Sequence, residues 1–366
     1  MELLHTLASF FIIISVIVFI HEFGHFIIAR WCGVKIEAFS IGFGKEVIGW
    51  NDKHGTRWKI SALPLGGYVK MFGDSSEAST PDKDKMEQMT EEEKAVSFHF
   101  KPLWKKAAIV VAGPVFNFIL TIAIFTGFLF SYGLETTDPI VGDVMKGSAA
   151  EEAGLVSGDR VLKIDGKKVE HFSDIPRLIA TNLGTEIHII INRSGETKDV
   201  LLTPRSTEET DALGNKISRP MIGIKSQRLM YKDVGLSRAL LEAVKKTWQI
   251  TATTFDYLGQ MIAGDRSAKE LKGPLGIAKL SGQAADQGFY TILWFIAMLS
   301  ANLGMVNLFP IPPLDGGHLL YYTIEGLRGR PMAERFQEYG FRAGFAVIIC
   351  LMVFTVFNDL KQMFFS

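Results

Sequence analysis

The chain has 366 residues, with 39 Lys plus Arg balanced by 39 Asp plus Glu, so its formal net charge is zero. That balance argues against nucleic acid as a partner, which normally demands a basic footprint. Two cysteines, Cys32 and Cys350, argue against a disulfide framework or a cysteine-built zinc site. Apolar residues, 27 phenylalanines among them, are gathered into runs, the pattern of a membrane protein built of about two or three units.

Residues 1–33 read as a first transmembrane helix, in which 3–29 carry one formal charge, Glu22. No Lys or Arg precedes the apolar run and no small-residue cleavage site follows it, so the segment reads as a retained helix rather than a signal peptide. Residues 34–73 read as a membrane-associated β-loop: 34–41, 46–50, 57–63 and 68–71 are β-prone and separated by glycines. Such a sheet offers an edge to an extended substrate. An ordinary hairpin without a substrate role fits the same residues. Residues 74–102 are a polar cytoplasmic loop with a short helix, and 103–132 a second span whose core, 107–130, has no charge.

Residues 133–228 read as a separate soluble α+β domain, with strands at 140–144, 160–164, 186–192 and 199–203 and helices at 148–154 and 173–182. Within it Ala153-Gly154-Leu155 followed by Gly158-Asp159-Arg160-Val161-Leu162-Lys163-Ile164-Asp165-Gly166 resembles the PDZ domain family. The resemblance implies peptide binding at an apolar-Gly-apolar loop, for which Ile222, Gly223 and Ile224 are the candidates; a closing strand fits them equally. Residues 229–287 hold an amphipathic helix and a linker, the helix lying on the membrane or packing under the PDZ-like domain. Residues 288–320 read as a third span, and 321–366 as a cytoplasmic loop followed by a fourth, weaker span centred on 343–358. The expected fold is a polytopic α-helical membrane protein of four transmembrane helices, with a membrane-associated β-sheet and an inserted PDZ-like domain.

Positive charge orients it. Arg30, Lys35, Lys45, Lys101, Lys105 and Lys106 flank the first two spans on one side, and Arg328, Arg330, Arg335 and Arg342 lie between the last two. That side is cytoplasmic, which puts both termini and the PDZ-like domain outside.

Chemistry concentrates in two places. His21-Glu22-Phe23-Gly24-His25 is an HExxH motif: on a helix its two imidazoles share a face and reach one ion, while Glu22 can take a proton from water at that ion. Ionisable groups in an apolar span each cost about 2.5–3.5 kcal/mol and are functional by default. Catalytic zinc takes three protein ligands and keeps one open position. The missing ligand is assigned to Asp315, at the same membrane level, where three prolines end the third span and Gly316-Gly317 allow a tight turn. His318 is a rival ligand.

Together these motifs resemble the site-2 protease family of intramembrane metalloproteases, in its bacterial regulator-of-sigma-E form but with a single PDZ-like domain where the best-known members carry two. The residues that carry the likeness are the HExGH string at 21–25; Asn307, Pro310, Pro312, Leu314, Asp315 and Gly316; the string Pro64 to Met71; Gly113-Pro114 with Asn117; and Gly273-Pro274-Leu275-Gly276-Ile277. The resemblance implies one zinc per chain held by His21, His25 and Asp315, Glu22 as base, and substrate contacts from Asn307 and from Gly66, Gly67 and Tyr68 of the β-loop. Asn307 and Asn117 also fit helix–helix hydrogen bonds. It implies hydrolysis within single-span proteins in the bacterial inner membrane, after a first extracytoplasmic cut, with anti-sigma-factor or signal-peptide remnants as substrates. A peptide-binding scaffold and a metal transporter are the competing readings; the first has no use for HExxH, and the second lacks repeated halves here.

Overall fold

The computed structural model describes residues 2–74, 86–136, 138–180, 184–210, 216–226, 230–264, 267–330 and 332–365. The chain forms two compact units, Met1–Gly127 with Leu240–Ser366, and Phe128–Ala239.

The first unit begins with helix α1 (Glu2–Trp31), an uninterrupted apolar run without proline. A ribbon follows, β1 (Ile36–Asn51) antiparallel to β2 (Arg57–Met71). The four separate strand runs expected here are two long bent strands. Ile36 to Ile41 pair with Gly67 to Met71, and Glu46 to Asn51 pair with Arg57 to Ser61, so the folded ribbon also lays Ala38–Ile41 beside Arg57–Ile60. Its inner half packs Phe39, Val69 and Met71 against Phe26 of α1, and Trp58 lies tilted against Phe39 with ring centroids 4.4 Å apart. Its outer half leaves Phe43, Val47, Ile48, Trp50 and Leu63 exposed, apolar side chains suited to lipid. Helix α2 (Glu91–Val96) starts at a capping box of Thr90 and Glu93, and α3 (Leu103–Tyr132) follows with Pro114 inside it.

The second unit contains β3 (Leu134–Thr136), β4 (Val141–Val144), α4 (Ala149–Glu152), β5 (Arg160–Ile164), β6 (Lys167–Lys168), α5 (Asp174–Ile179), β7 (Ile187–Arg193), β8 (Glu196–Leu202), β9 (Arg205–Thr210), β10 (Lys216–Met221), β11 (Ile224–Ser226) and β12 (Met230–Lys232). Four strands form a sheet in the order β6-β5-β7-β8, and β4 pairs with β11. Ile187, Ile189 and Ile191 alternate inward along β7 and are fully buried against Leu155, Ile164 and Ile175. Asp159 is buried and gripped by two Arg193 nitrogens at 2.7 and 2.8 Å. Burial alone raises its pKa, but Arg193 and the Val156 amide outweigh that and hold the carboxyl below its ordinary range. The β9–β10 hairpin was not expected from the sequence, and the end of the helix expected at 173–182 lies outside the described residues.

The chain re-enters the first unit along α6 (Leu236–Ala263), then α7 (Pro274–Asp286), α8 (Phe289–Asn307), α9 (Asp315–Arg328) and α10 (Glu334–Phe365). The helix of the 229–287 segment does not simply lie on a surface. From Leu240 onward α6 packs on the spans: Lys246 sits over Phe125 of α3, Thr254 donates to Asn302 of α8 at 3.0 Å, and Phe255 meets Phe309 edge-on. The single span expected over 288–320 is two helices, broken by the proline segment between Asn307 and Asp315. Gly316 and Gly317 are helical rather than in a turn; an added Cβ at either overlaps the backbone of Leu308, Phe309 or Pro312. The last helix is longer than 343–358.

Among the described residues, four helices, α1, α3, α8 and α10, are long and apolar enough to cross a membrane. Side chains such as Ile12, Val353 and Phe357 are more than half exposed on them, which water penalises and a bilayer does not.

Helix α7 has Gly273 as its N-cap, with no side chain of its own to satisfy the first amides. The carboxyl of Asp359, buried on α10, does so from outside, accepting from Gly273 N at 3.1 Å and Gly276 N at 2.8 Å. The two glycines leave room for it, since a Cβ at either position meets the carboxyl oxygens. Asn358 adds a bond to Leu271 O at 3.4 Å. Helix α7 in turn packs on α1, with Gly282 against Thr6. Asp359→Ala strands those amides at about 1–3 kcal/mol each. Its thermal unfolding midpoint in detergent is expected to fall by several degrees; an unchanged midpoint rejects the latch.

Candidate metal centre and active site

Helix α1 runs unbroken through residues 21–25, so His21 and His25 sit one turn apart on one face. Their rings are 4.8 Å apart and nearly perpendicular, with the two Nε2 atoms 3.2 Å from each other. Helix α3 is the floor beneath them. Gly24 allows the approach, because a Cβ there meets the carbonyl of Ala112. Gly113 allows the rings to lie over α3; a Cβ at Gly113 overlaps both imidazoles. One turn before Gly113, the carbonyl of Ile109 accepts from His25 Nδ1 at 2.8 Å. One turn after it, the side-chain amide of Asn117 lies 3.1 Å from His21 Nδ1.

Asp315 arrives from the other end of the chain as the first residue of α9, with Leu314 as N-cap. Its Oδ2 stands 3.2 Å from His21 Nε2 and 3.5 Å from His25 Nε2. Gly344 of α10 holds the proline segment in place, since a Cβ there overlaps Pro312. His21, His25 and Asp315 are a group of potential metal ligands among the described residues. Asp315 Oδ2 is buried with no hydrogen bond of acceptable geometry. An orphaned carboxylate oxygen beside two imidazole nitrogens is a costly arrangement without a cation. Tetrahedral zinc with bonds of about 2.0–2.1 Å sets its ligand atoms about 3.3 Å apart, and the separations here are 3.2, 3.2 and 3.5 Å. The donor set fits zinc.

Glu22 lines the same cavity of about 530 Å³ as this triad, together with Asn307, Gly67 and Tyr68. Gly67 brings β2 against the carboxylate arm, a Cβ there lying 3.1 Å from Glu22 Cγ. Tyr68 is buried, stacked on Phe43 and capped by the Lys59 ammonium. Gly66 does not line the cavity; it has φ +121° and lies under the Phe43 ring, so it shapes the bend of β2. His318 also lines the cavity but packs on Phe341 and Tyr322, outside the ligand cluster. Ile222, Gly223 and Ile224 lie in the other unit. The Ile222 side chain is in its core, Gly223 takes φ +81° over Ser148, and Ile224 pairs with Val144.

The matched family model is Peptidase family M50, over residues 9–351. The chain belongs to that family. This site-2 protease family member is 43% identical to a protein of Rhizobium meliloti that carries a zinc-metalloprotease name, over 99% of this chain and 98% of that one. It is 44% identical to a Mesorhizobium japonicum protein with the same kind of name, over 98% and 99% of the two chains. With Metalloprotease MmpA of Caulobacter vibrioides the identity is 38%, over 97% and 95%. A PDZ domain of an SdrC-like protein from Listeria monocytogenes matches at 20% identity and a TM-score of 0.20, covering 25% of this chain and 90% of that one. This M50 chain is a zinc metalloprotease.

The parts of the site that sequence reasoning missed belong to α3. Gly113 stands in the Gly113-Pro114 string, and only the placement of both rings above it shows its purpose. The Ile109 carbonyl is a backbone group and leaves no signal in the sequence. Gly113→Ala is expected to displace both imidazoles, and Asp315→Ala to delete a ligand. Both should lower zinc bound per purified chain, as measured by metal analysis. An Asp315→Ala protein with full zinc content places the third ligand elsewhere.

Proposed function

We propose that the protein is an intramembrane endopeptidase, one that hydrolyses peptide bonds inside the membrane segments of single-span proteins with one zinc per chain. The observation that carries this reading is the meeting of Glu22, three ligand side chains and a strand edge at one cavity built by helices apolar enough to span a membrane. A helical substrate hides its peptide bonds in its own hydrogen bonds and must unwind to be cut. Among the described residues, the 67–71 stretch of β2 pairs with β1 along one side only, which leaves its other side for strand addition by the unwound segment. Gly67 and Tyr68 then lie alongside the substrate backbone, and Asn307, across the cavity, donates to a carbonyl near the cleaved bond.

His21, His25 and Asp315 hold the zinc, which when bound supplies the Lewis acid that polarises the scissile carbonyl. Glu22 takes the proton of the attacking water and delivers it to the leaving amine.

Orientation follows from charge and aromatic residues. Trp31 and Trp104 are largely exposed beside Arg30, Lys101 and Lys105, an interfacial belt on the cytoplasmic side of the inner membrane. The Lys105 ammonium donates to Cys32 O at 3.3 Å and complements the C-terminus of α1. Both termini and residues 133–228 then lie outside. We assign the latter as a PDZ-like filter that admits substrates already trimmed by a first cut, whether anti-sigma-factor or signal-peptide remnants, with the amides of the 222–224 loop as its peptide contact.

Glu22→Gln in proteoliposomes with a single-span substrate should keep its zinc and lose cleavage by at least about a hundredfold; cleavage at the normal rate removes Glu22 from the base role. Deleting residues 135–225 should let untrimmed substrates be cut while trimmed ones are still hydrolysed. If the deletion leaves untrimmed substrates uncut, the filter assignment fails.

A further inference from the structure

We infer that Asn117 is a positioning residue that sets the tautomer of His21, acting through its side-chain oxygen. The inference rests on the metalloprotease reading above and adds a requirement to it. Asn117 is completely buried in α3, and its amide nitrogen faces His21 Nδ1 at 3.1 Å while its Oδ1 has no hydrogen-bond partner. A neutral imidazole carries one hydrogen. With Nδ1 accepting from the amide, that hydrogen is on Nε2, the atom that faces Asp315 Oδ2 and His25 Nε2. An N–H there cannot ligate a cation. Turning the amide by half a revolution about its terminal torsion exchanges two groups of nearly equal size. Nδ1–H then donates to Oδ1, and Nε2 presents its lone pair to the triad.

His25 already follows this rule, since its Nδ1 faces an atom that can only accept, the carbonyl of Ile109. Asn117 gives His21 the same arrangement, so α3 fixes both rings from positions one turn either side of Gly113. A helix–helix role for this asparagine is filled by its backbone instead. The Asn117 carbonyl accepts from Ser300 Oγ at 3.0 Å, and Thr121 Oγ1 bridges it at 3.1 Å to Ala297 O at 2.9 Å. Gly304 of α8 braces the Asn117 Cβ from the far side. The backbone is pinned, and the amide has only rotation left to it.

The test is zinc affinity of the full chain in detergent, by competition with a chelator, for the wild type, Asn117→Leu and Asn117→Asp. Leucine keeps the volume and removes the acceptor; zinc binding is expected to weaken by about 10- to 100-fold. Aspartate is a stronger acceptor for Nδ1–H, and its affinity is expected to equal or exceed the wild-type value. A packing role predicts the opposite order, because a buried carboxylate is the harsher change. Should leucine prevent folding, Asn117→Val, smaller and equally without an acceptor, takes its place. Wild-type affinity in the leucine or valine variant, or an aspartate variant as weak as they are, overturns the inference. A wild-type chain that binds no zinc overturns the metalloprotease reading itself, a different result from zinc-binding wild type with indifferent variants.

Discussion

Three polar side chains from opposite ends of the chain share one point among helices rich in apolar residues, and most of the first unit is arranged around that convergence. Two imidazole nitrogens and a carboxylate oxygen are within 3.5 Å of one another, with the oxygen buried and unsatisfied by any donor of good geometry. Such a set is unfavourable unless a cation neutralises it. The close approaches that permit it are made at glycines: Gly24 between α1 and α3, Gly113 beneath the rings, Gly316 and Gly317 under the proline segment, and Gly344 behind it. Each lies where a single methyl group would collide with backbone or with an imidazole ring. A membrane interior gives helices no hydrophobic reason to associate, so close packing through small residues takes over that work.

Around the two histidines, α3 acts as a template rather than a neighbour. Its Ile109 carbonyl and Asn117 amide meet the outer nitrogens of the two histidines, and its proline lacks the N–H that would have closed the helix ladder at that level. The α3–α8 contact is held by Thr121 and Ser300 hydroxyls. The groove wall is the folded ribbon, whose inner aromatic cluster of Phe26, Phe39 and Trp58 anchors it on α1. That anchor holds Gly67 next to Glu22.

A second polar junction links the far ends of the same helices. Asp359 closes the N-terminus of α7, and α7 lies along α1. The motif helix and the last helix are therefore coupled through a short intervening helix.

Local chemistry made much of this protein legible from sequence. Runs of apolar residues long enough to span a bilayer marked the helices α1, α3 and α8, because that signal is a property of each segment alone. HExxH placed two imidazoles on one face through helical periodicity, and the cost of charge in an apolar run marked Asp315 as its companion. The same reasoning misjudged what depends on contacts. Gly316-Gly317 read as a turn, yet they lie in the first turn of α9, where the backbone of residues 308–312 packs too close for a Cβ. The strand runs of the ribbon read as four pieces, yet they lie within two long strands whose register shifts take up the bends. The roles of Gly113, Ile109 and Asn117 were out of reach, since a missing Cβ, a carbonyl and an amide acquire meaning only when a helix some ninety residues away in the chain is laid across them. Residue type and spacing determined which groups could do the chemistry. Tertiary structure decided which atoms face one another, because distance between side chains is set by packing and not by order along the chain.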